Sequence, residues 1–386
     1  MLERLHFGEL PQKHHIALRD GAGTLRYEHC LTRAGFDGPY SILYHLHRPQ
    51  ALSAVSSFQL GTPLPAADHL PSLRRRHFRG ARLAQPTAAL AGRVALLHNA
   101  DVTISLVKPL TSEPAYFVNA DADELFFVRQ GRGMLRSALG DLRFSRHDYV
   151  AVPKGVLYRM QLDEPDTELL LIECHGGLGV PAQFRNPVGQ LRMDAPYCHR
   201  DFRHPEFRGP LDEQIRRVIV QRGAAAHEFR SAHSPLDVVG WDGTLYPWAF
   251  PILAFQPRVS SVHLPPTWHG TFAARGALIC SFVPRPLDFH PEAVPCPYPH
   301  SSSDVDELIY YVSGAFSSRT GVEAGSLTLH PRGIPHGPQP GRYEASVGAK
   351  STDELAVMLD CYLPLTATAA AQAIEDEAYD GSFAAP

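Results

Sequence analysis

The sequence predicts an all-β chain of two small jelly-roll barrels with few short helices, and three observations lead there. Its 386 residues include 34 prolines and 30 glycines, spread evenly enough to break long helices and favour strands and turns. Short apolar runs recur between Gly, Pro, Asp and Asn. A two-part pattern of acidic residue, strand, glycine and Pro-x-Gly turn occurs twice, in the same order.

Taken along the chain, the runs are Glu124–Val128, Asp148–Val152, Glu168–Glu173, Ala277–Val283 and Glu307–Val312. Each is short, β-branched or aromatic, and bounded by turn signals, as buried strands are. Residues from about 175 to 209 are rich in Gly, Pro, Asn, Arg and His without periodicity, and read as a connection between two halves. The expected division is therefore 1–209, a first half including that connection, and 210–386, a second half with a short tail. Helical periodicity is confined to Asp212–Val220, where Arg216–Val220 equally suits a strand, and to the Ala-rich tail Thr366–Tyr379.

The repeat is the strongest organising signal. Glu124 precedes Gly131 by seven residues, and Pro153-Lys154-Gly155-Val156-Leu157-Tyr158 follows. Glu307 precedes Gly314 by seven, and Pro331-Arg332-Gly333-Ile334-Pro335-His336 follows. Both copies match the two-part cupin signature, a strand-turn-strand layout on a small jelly-roll, so the fold class is a bicupin.

Such a barrel draws metal ligands from both parts of its signature. In the second copy they are His300, Glu307 and His336. Two histidines and one carboxylate suit non-heme Fe(II), because open coordination positions remain for substrate and O₂. Zinc or nickel binds the same donors, so residue type alone leaves the metal open. The first copy lacks the set: no histidine lies between Tyr116 and Asp123, and Tyr158 stands where His336 stands. Asn119, Asp121, Asp123 and Glu124 offer oxygen donors there, but a structural barrel is the expected reading.

Bulk properties exclude other classes. The formal charge is −4, and the one dense basic run, Leu73–Arg79, is expected to be a solvated face, so no nucleic-acid partner is expected. No apolar stretch approaches the ~20 residues of a membrane helix. Met1–His6 lacks a signal-peptide core, and six scattered cysteines without a CxxC pair suit a reducing compartment, so a cytoplasmic location is expected.

The second half resembles the homogentisate 1,2-dioxygenase family. The likeness rests on Asp237–Gly243, on His300 and Glu307 with its strand, and on Gly325–Pro338, with its Pro-His-Gly-Pro element. Leu10–His15 and Ser41–His45 fit more loosely. The resemblance implies a bicupin with one Fe(2+) on His300, Glu307 and His336, and His263 as catalytic base on a substrate hydroxyl. It places His330, Tyr298 and Phe316 around the substrate; beside that resemblance, Trp268 and Phe272 are aromatic neighbours expected to wall the pocket. It implies cleavage of homogentisate by O₂ to maleylacetoacetate, in aromatic amino-acid catabolism, by a trimer or hexamer.

The chain departs from the family pattern at several points. One extra residue separates His300 from Glu307, Val294–His300 lacks an Arg with paired aromatics, and Phe316 replaces a tyrosine. These departures suit a divergent branch. Two alternatives therefore stand beside the first reading: a dioxygenase of the same fold acting on another hydroquinone or catechol, and an isomerase-type cupin holding Zn or Mn.

Overall fold

The computed structural model describes residues 3–60, 73–84, 92–259, 269–288, 290–295, 297–316 and 318–384. The chain is all-β and bicupin, with two short α-helices among the described residues, Arg342–Ser346 and Ala369–Ala373. Three seven-stranded sheets form most of it.

The middle of these sheets explains the uninterrupted apolar runs. It orders Trp248–Pro251, Asp148–Val152, Asp123–Gln130, Glu168–Cys174, Val102–Val107, Arg93–His98 and Thr366–Ala367. Side chains alternate across a strand, and here both faces are covered. Phe126, Val128, Leu169 and Leu171 enter one core, opposite Phe117, Leu135 and Ile219 of the first barrel's other sheet. Leu125, Phe127, Leu170 and Ile172 enter a second core with Leu308, Tyr310, Leu327 and Leu359. A sheet buried on both faces needs apolar residues at every position. Tyr310 crosses this second core, its hydroxyl donating to Glu168 (2.9 Å), whose carboxylate is also held by Arg129 at 2.7 and 2.6 Å.

The third sheet, which carries the metal-ligand motif, orders Leu178–Gly179, Gly270–Ala274, Ala277–Phe282, Leu355–Cys361, Asp306–Ser313, Ser326–His330 and Arg76–Arg79. Leu308 and Tyr310 face the core, so Glu307, Ile309 and Tyr311 point to the opposite face. The repeat's glycines have a shared cause. Gly131 and Gly314 both have φ near +90° (+93° and +95°), and a Cβ would lie 2.4 Å from Thr167 Oγ1 or 2.3 Å from the Asp353 carbonyl oxygen. Only glycine combines that conformation with that approach.

The sheets interleave across the expected boundary at 209. Arg217–Arg222 pairs in parallel with Tyr116–Asn119, and Trp248–Pro251 pairs with Asp148–Val152, so residues well past 210 complete the first barrel. Arg76–Arg79 meanwhile joins the third sheet. A four-stranded sheet, ordered Leu5–Gly8, Val238–Gly243, Asp37–His45 and Tyr27–Ala34, covers the first barrel.

Other expectations were resolved locally. The ambiguous 212–220 segment becomes the strand Arg217–Arg222, and the tail forms a helix only over Ala369–Ala373. The basic run is no solvated face. Arg74 and Arg76 pair with Glu375, Arg75 with Asp380 and Arg79 with Asp376. It clamps the acidic C-terminal tail against the third sheet. The five described cysteines are free thiols. No described helix is long and apolar enough to cross a membrane.

Candidate metal centre

Glu307 lies one residue into its strand, in register with His330 on one side and Asp360 on the other. The two histidines arrive from loops. An isolated antiparallel bridge joins them, each backbone N–H donating to the other's carbonyl at 2.8 Å, and brings the two imidazole rings within 4.2 Å. Local capping fixes the loops that carry them: the Asp306 carboxylate accepts from the Arg332 and Leu365 amides (3.0 and 2.9 Å), and Gly333 donates to Ser302.

One ligand atom from each of His300, Glu307 and His336 lies within 4.8 Å of the others, the one such group of three among the described residues. The hydrogen bonds set the tautomers. His300 Nδ1 donates to the Tyr298 carbonyl (2.8 Å) and His336 Nδ1 to that of Ile334 (3.4 Å). Each therefore turns an Nε2 lone pair inward, 3.7 and 3.6 Å from the Glu307 carboxylate. His336 Nε2 is buried and has no hydrogen-bond partner. An orphaned buried acceptor is costly, and a divalent metal relieves it. The donor set fits such an ion: two neutral imidazoles and one carboxylate.

Burial alone would raise the Glu307 pKa, yet the close His300 and His336 imidazoles and the hydrogen bond from His330 hold it well below the ordinary carboxylate range. The carboxylate is thus ready as a ligand. Beside it, burial and the Glu307 charge push Asp360 up to about 7, against the opposing pull of His300.

His330, expected at the substrate, lies behind the ligand. It is fully buried, donates from Nδ1 to Glu307 Oε1 at 2.7 Å, and its Nε2 accepts from the Tyr379 hydroxyl at 3.3 Å. With both nitrogens engaged, it orients Glu307 as an outer partner of the metal. Burial drives its pKa down to about 3, with Arg319 adding to the effect and Glu307 opposing it. Tyr298 packs edge-on to His300, centroids 6.4 Å apart, and Phe316 against Tyr311 at 4.9 Å. Phe272 is core, in an aromatic cluster with Tyr149, Trp248 and Phe250. His263 and Trp268 lie outside the described residues.

Sequence reasoning missed three residues. Arg319 is buried, donates to the Gly337 carbonyl beside His336, and lies over the Phe383 ring. Tyr379 supports His330 from the clamped tail. Asp360 carries no motif, and only strand register places it beside Glu307.

The first barrel holds the same scaffold with the centre filled. Glu124, in the place of Glu307, is ion-paired to Arg93; Tyr158, in the place of His336, donates to Glu124 (2.8 Å) and accepts from Arg93 (2.7 Å). The oxygen donors noted there are also committed. Asn119 donates to Glu173, Asp121 accepts from the Gly223 amide, and Asp123 binds Arg33, Lys154 N and Leu178 N. A guanidinium supplies the positive charge that a metal would supply in the other copy.

Comparison with known proteins follows the same lines. A family model described as the homogentisate 1,2-dioxygenase N-terminal region matches residues 87–252. Over 380 residues, 97% of each chain, the protein is 34% identical to a provisionally named dioxygenase of Saccharolobus solfataricus. Homogentisate 1,2-dioxygenases of Rhodopseudomonas palustris BisB5 and Pseudomonas putida KT2440 are each 26% identical over 69% of this chain. Those matches take in 62% and 64% of the relatives' lengths, so the chain spans under two thirds of them. Among solved structures, a cupin 2 conserved barrel domain protein from Leptotrichia buccalis aligns over 74% of this chain and 96% of its own, at 13% identity and a TM-score of 0.34. The fold assignment rests on the strand pairings described above.

Proposed function

The chain belongs to the homogentisate 1,2-dioxygenase family, as a divergent branch, and from that premise we propose that it is an Fe(2+)-dependent ring-cleaving dioxygenase whose substrate is homogentisate, giving maleylacetoacetate. One observation carries the reading: the buried, unpartnered Nε2 of His336 converges with His300 and Glu307 in a two-histidine, one-carboxylate set. Iron bound there would supply O₂ activation and open positions for a phenolate oxygen.

The chain's own residues do the rest. Backbone carbonyls at Tyr298 and Ile334 keep both histidines in the ligating tautomer. His330 fixes one Glu307 oxygen and leaves the other to the centre. We assign His263 as the base that takes the substrate's phenolic proton, a role suited to imidazole near neutral pH, and Tyr298 and Phe316 as substrate contacts. A cavity of about 390 Å³, lined by Pro297, Pro338 and Ser318 beside the ligand loops, carries Arg342 and Arg285 together with Asp353 and Glu354 on its wall.

Phe316 favours a second reading, another hydroquinone or catechol as substrate. Its ring packs on Tyr311 and offers no hydroxyl to a carboxylate. Metal analysis with O₂ uptake over a panel of dihydroxylated aromatics decides between them. Iron near one per chain, lost in His336→Ala, with fastest uptake on homogentisate is the expected result. Uptake confined to another panel member replaces the substrate, and no uptake by the Fe(II)-loaded protein with any member overturns dioxygenase activity.

A further inference from the structure

A second polar cluster lies in the first half, sharing no residue with the ligand set. His29, His45, His47, His233 and Asp237 line a cavity of about 190 Å³ between the four-stranded sheet and the first barrel. Its other walls are mostly apolar, among them Leu31, Leu43, Leu139, Val156 and Val218. An apolar chamber with a few convergent polar groups is the usual form of a small-molecule site. A cavity of about 150 Å³ already holds benzene, so this one suits a single substituted ring.

The tautomers decide what the polar end accepts. Asp237 is buried, and although burial opposes it, hydrogen bonds from His45 and His47 hold its pKa below the ordinary value. One oxygen accepts from His45 Nδ1 at 2.7 Å. The other accepts from His47 Nδ1 at 2.9 Å and the His47 amide at 2.8 Å. A neutral imidazole holds one proton, so both rings are left with Nε2 as a lone pair. His29 Nδ1 lies 3.4 Å from His45 Nε2. If it donates there, its own Nε2 becomes the free acceptor; if not, His45 keeps its lone pair. Either way the relay ends in an acceptor, backed by a carboxylate.

Arg48 also lines the chamber, its guanidinium over the Tyr27 ring, and the lone pair at the end of the relay takes a hydrogen-bond donor. A metal is the competing occupant, but among the described residues no group of three ligand atoms within 4.8 Å of one another forms here. We propose that this pocket is a second binding site, for a small uncharged phenol whose hydroxyl donates to the His29–His45 pair while its ring fills the apolar chamber.

The test uses the full-length protein, anaerobic and at about pH 8, where imidazoles are neutral. Affinities for 4-fluorophenol and 4-fluoroanisole are read by fluorine NMR, and ¹³C-labelled histidines report the location. Expected are a preference of about threefold to tenfold for the phenol, the worth of one hydrogen bond, and shifts at His29 and His45. Asp237→Asn puts an amide donor against His45 Nδ1, moves the ring proton to Nε2, and should abolish that preference. Should this variant fail to fold, Leu52→Trp at the exposed mouth should weaken phenol binding about tenfold by occlusion. Equal affinity for the two probes, shifts confined to His300 and His336, or displacement of the phenol by Zn²⁺ at one ion per cluster would each overturn the proposal.

Discussion

Replacing Arg93 by Met tests whether a guanidinium fills the first barrel's centre. The Glu124 side chain is 1% exposed and that of Arg93 11%, so solvent cannot take over the lost pairing. Met keeps part of the packing on Phe117, whose ring centroid lies 4.3 Å from the guanidinium. It leaves Glu124 with the Tyr158 hydroxyl as a donor, and burial holds that phenol protonated, well above its usual pKa. Removing one partner of a buried pair costs about 3–5 kcal/mol, and that is the loss expected in urea denaturation followed by circular dichroism. The double variant Arg93→Met/Glu124→Gln removes the stranded charge as well. It should be at least about 2 kcal/mol more stable than the sum of the single effects implies. Metal content should stay the same throughout. A cost below about 1 kcal/mol, the range of a solvent-exposed pair, or strict additivity, would refute the reasoning.

Three further outcomes follow from the geometry. His330→Phe keeps the ring but removes the hydrogen bond to Glu307, so metal affinity in a chelator competition should fall about 10–100-fold; unchanged affinity would make His330 mere packing. Glu168, despite burial, is held below its ordinary pKa by Arg129, Lys108 and Tyr310. Its contribution is complete above the unfolded value of about 4.3 and is lost as pH falls through the lower folded value, because the unfolded chain takes up the proton first. The urea midpoint of Glu168→Gln should therefore fall less steeply than the wild type's below about pH 4.3, and parallel curves would contradict this. Gly314→Ala meets both the positive φ and the Asp353 carbonyl and should cost at least about 2 kcal/mol, measured the same way; a neutral change would show that the turn relaxes freely.

Much of the fold was legible because burial on both faces writes itself into strands such as Glu168–Cys174, and because a repeat with forced glycines marks equivalent turns. That His300, Glu307 and His336 converge was legible because such a donor set sits at particular motif positions. What escaped depends on contacts between distant segments. Nothing near Arg93 announces that it reaches Glu124, 31 residues away. Asp360 gains its place from strand register. The basic run at Leu73–Arg79 looked solvated because its partners, Glu375, Asp376 and Asp380, lie some 300 residues on. The pairing of strands past 209 with the first barrel escaped for the same reason: low periodicity marks a loop, yet says nothing about which barrel the next strand joins.

Two of the short strands that cross between the halves have a consequence for how the chain avoids its own kind. Arg76–Arg79 ends the third sheet, and Thr366–Ala367 ends the middle one, so each half lends the other a terminal strand. An open sheet edge offers unpaired N–H and C=O groups to any passing chain. Here the lent strands are only four and two residues long, and the longer of them carries arginines at both ends. Either half made without the other would leave the neighbouring strand, Ser326–His330 or Arg93–His98, as an open edge. Each should then aggregate when expressed alone and regain solubility when the two are produced together.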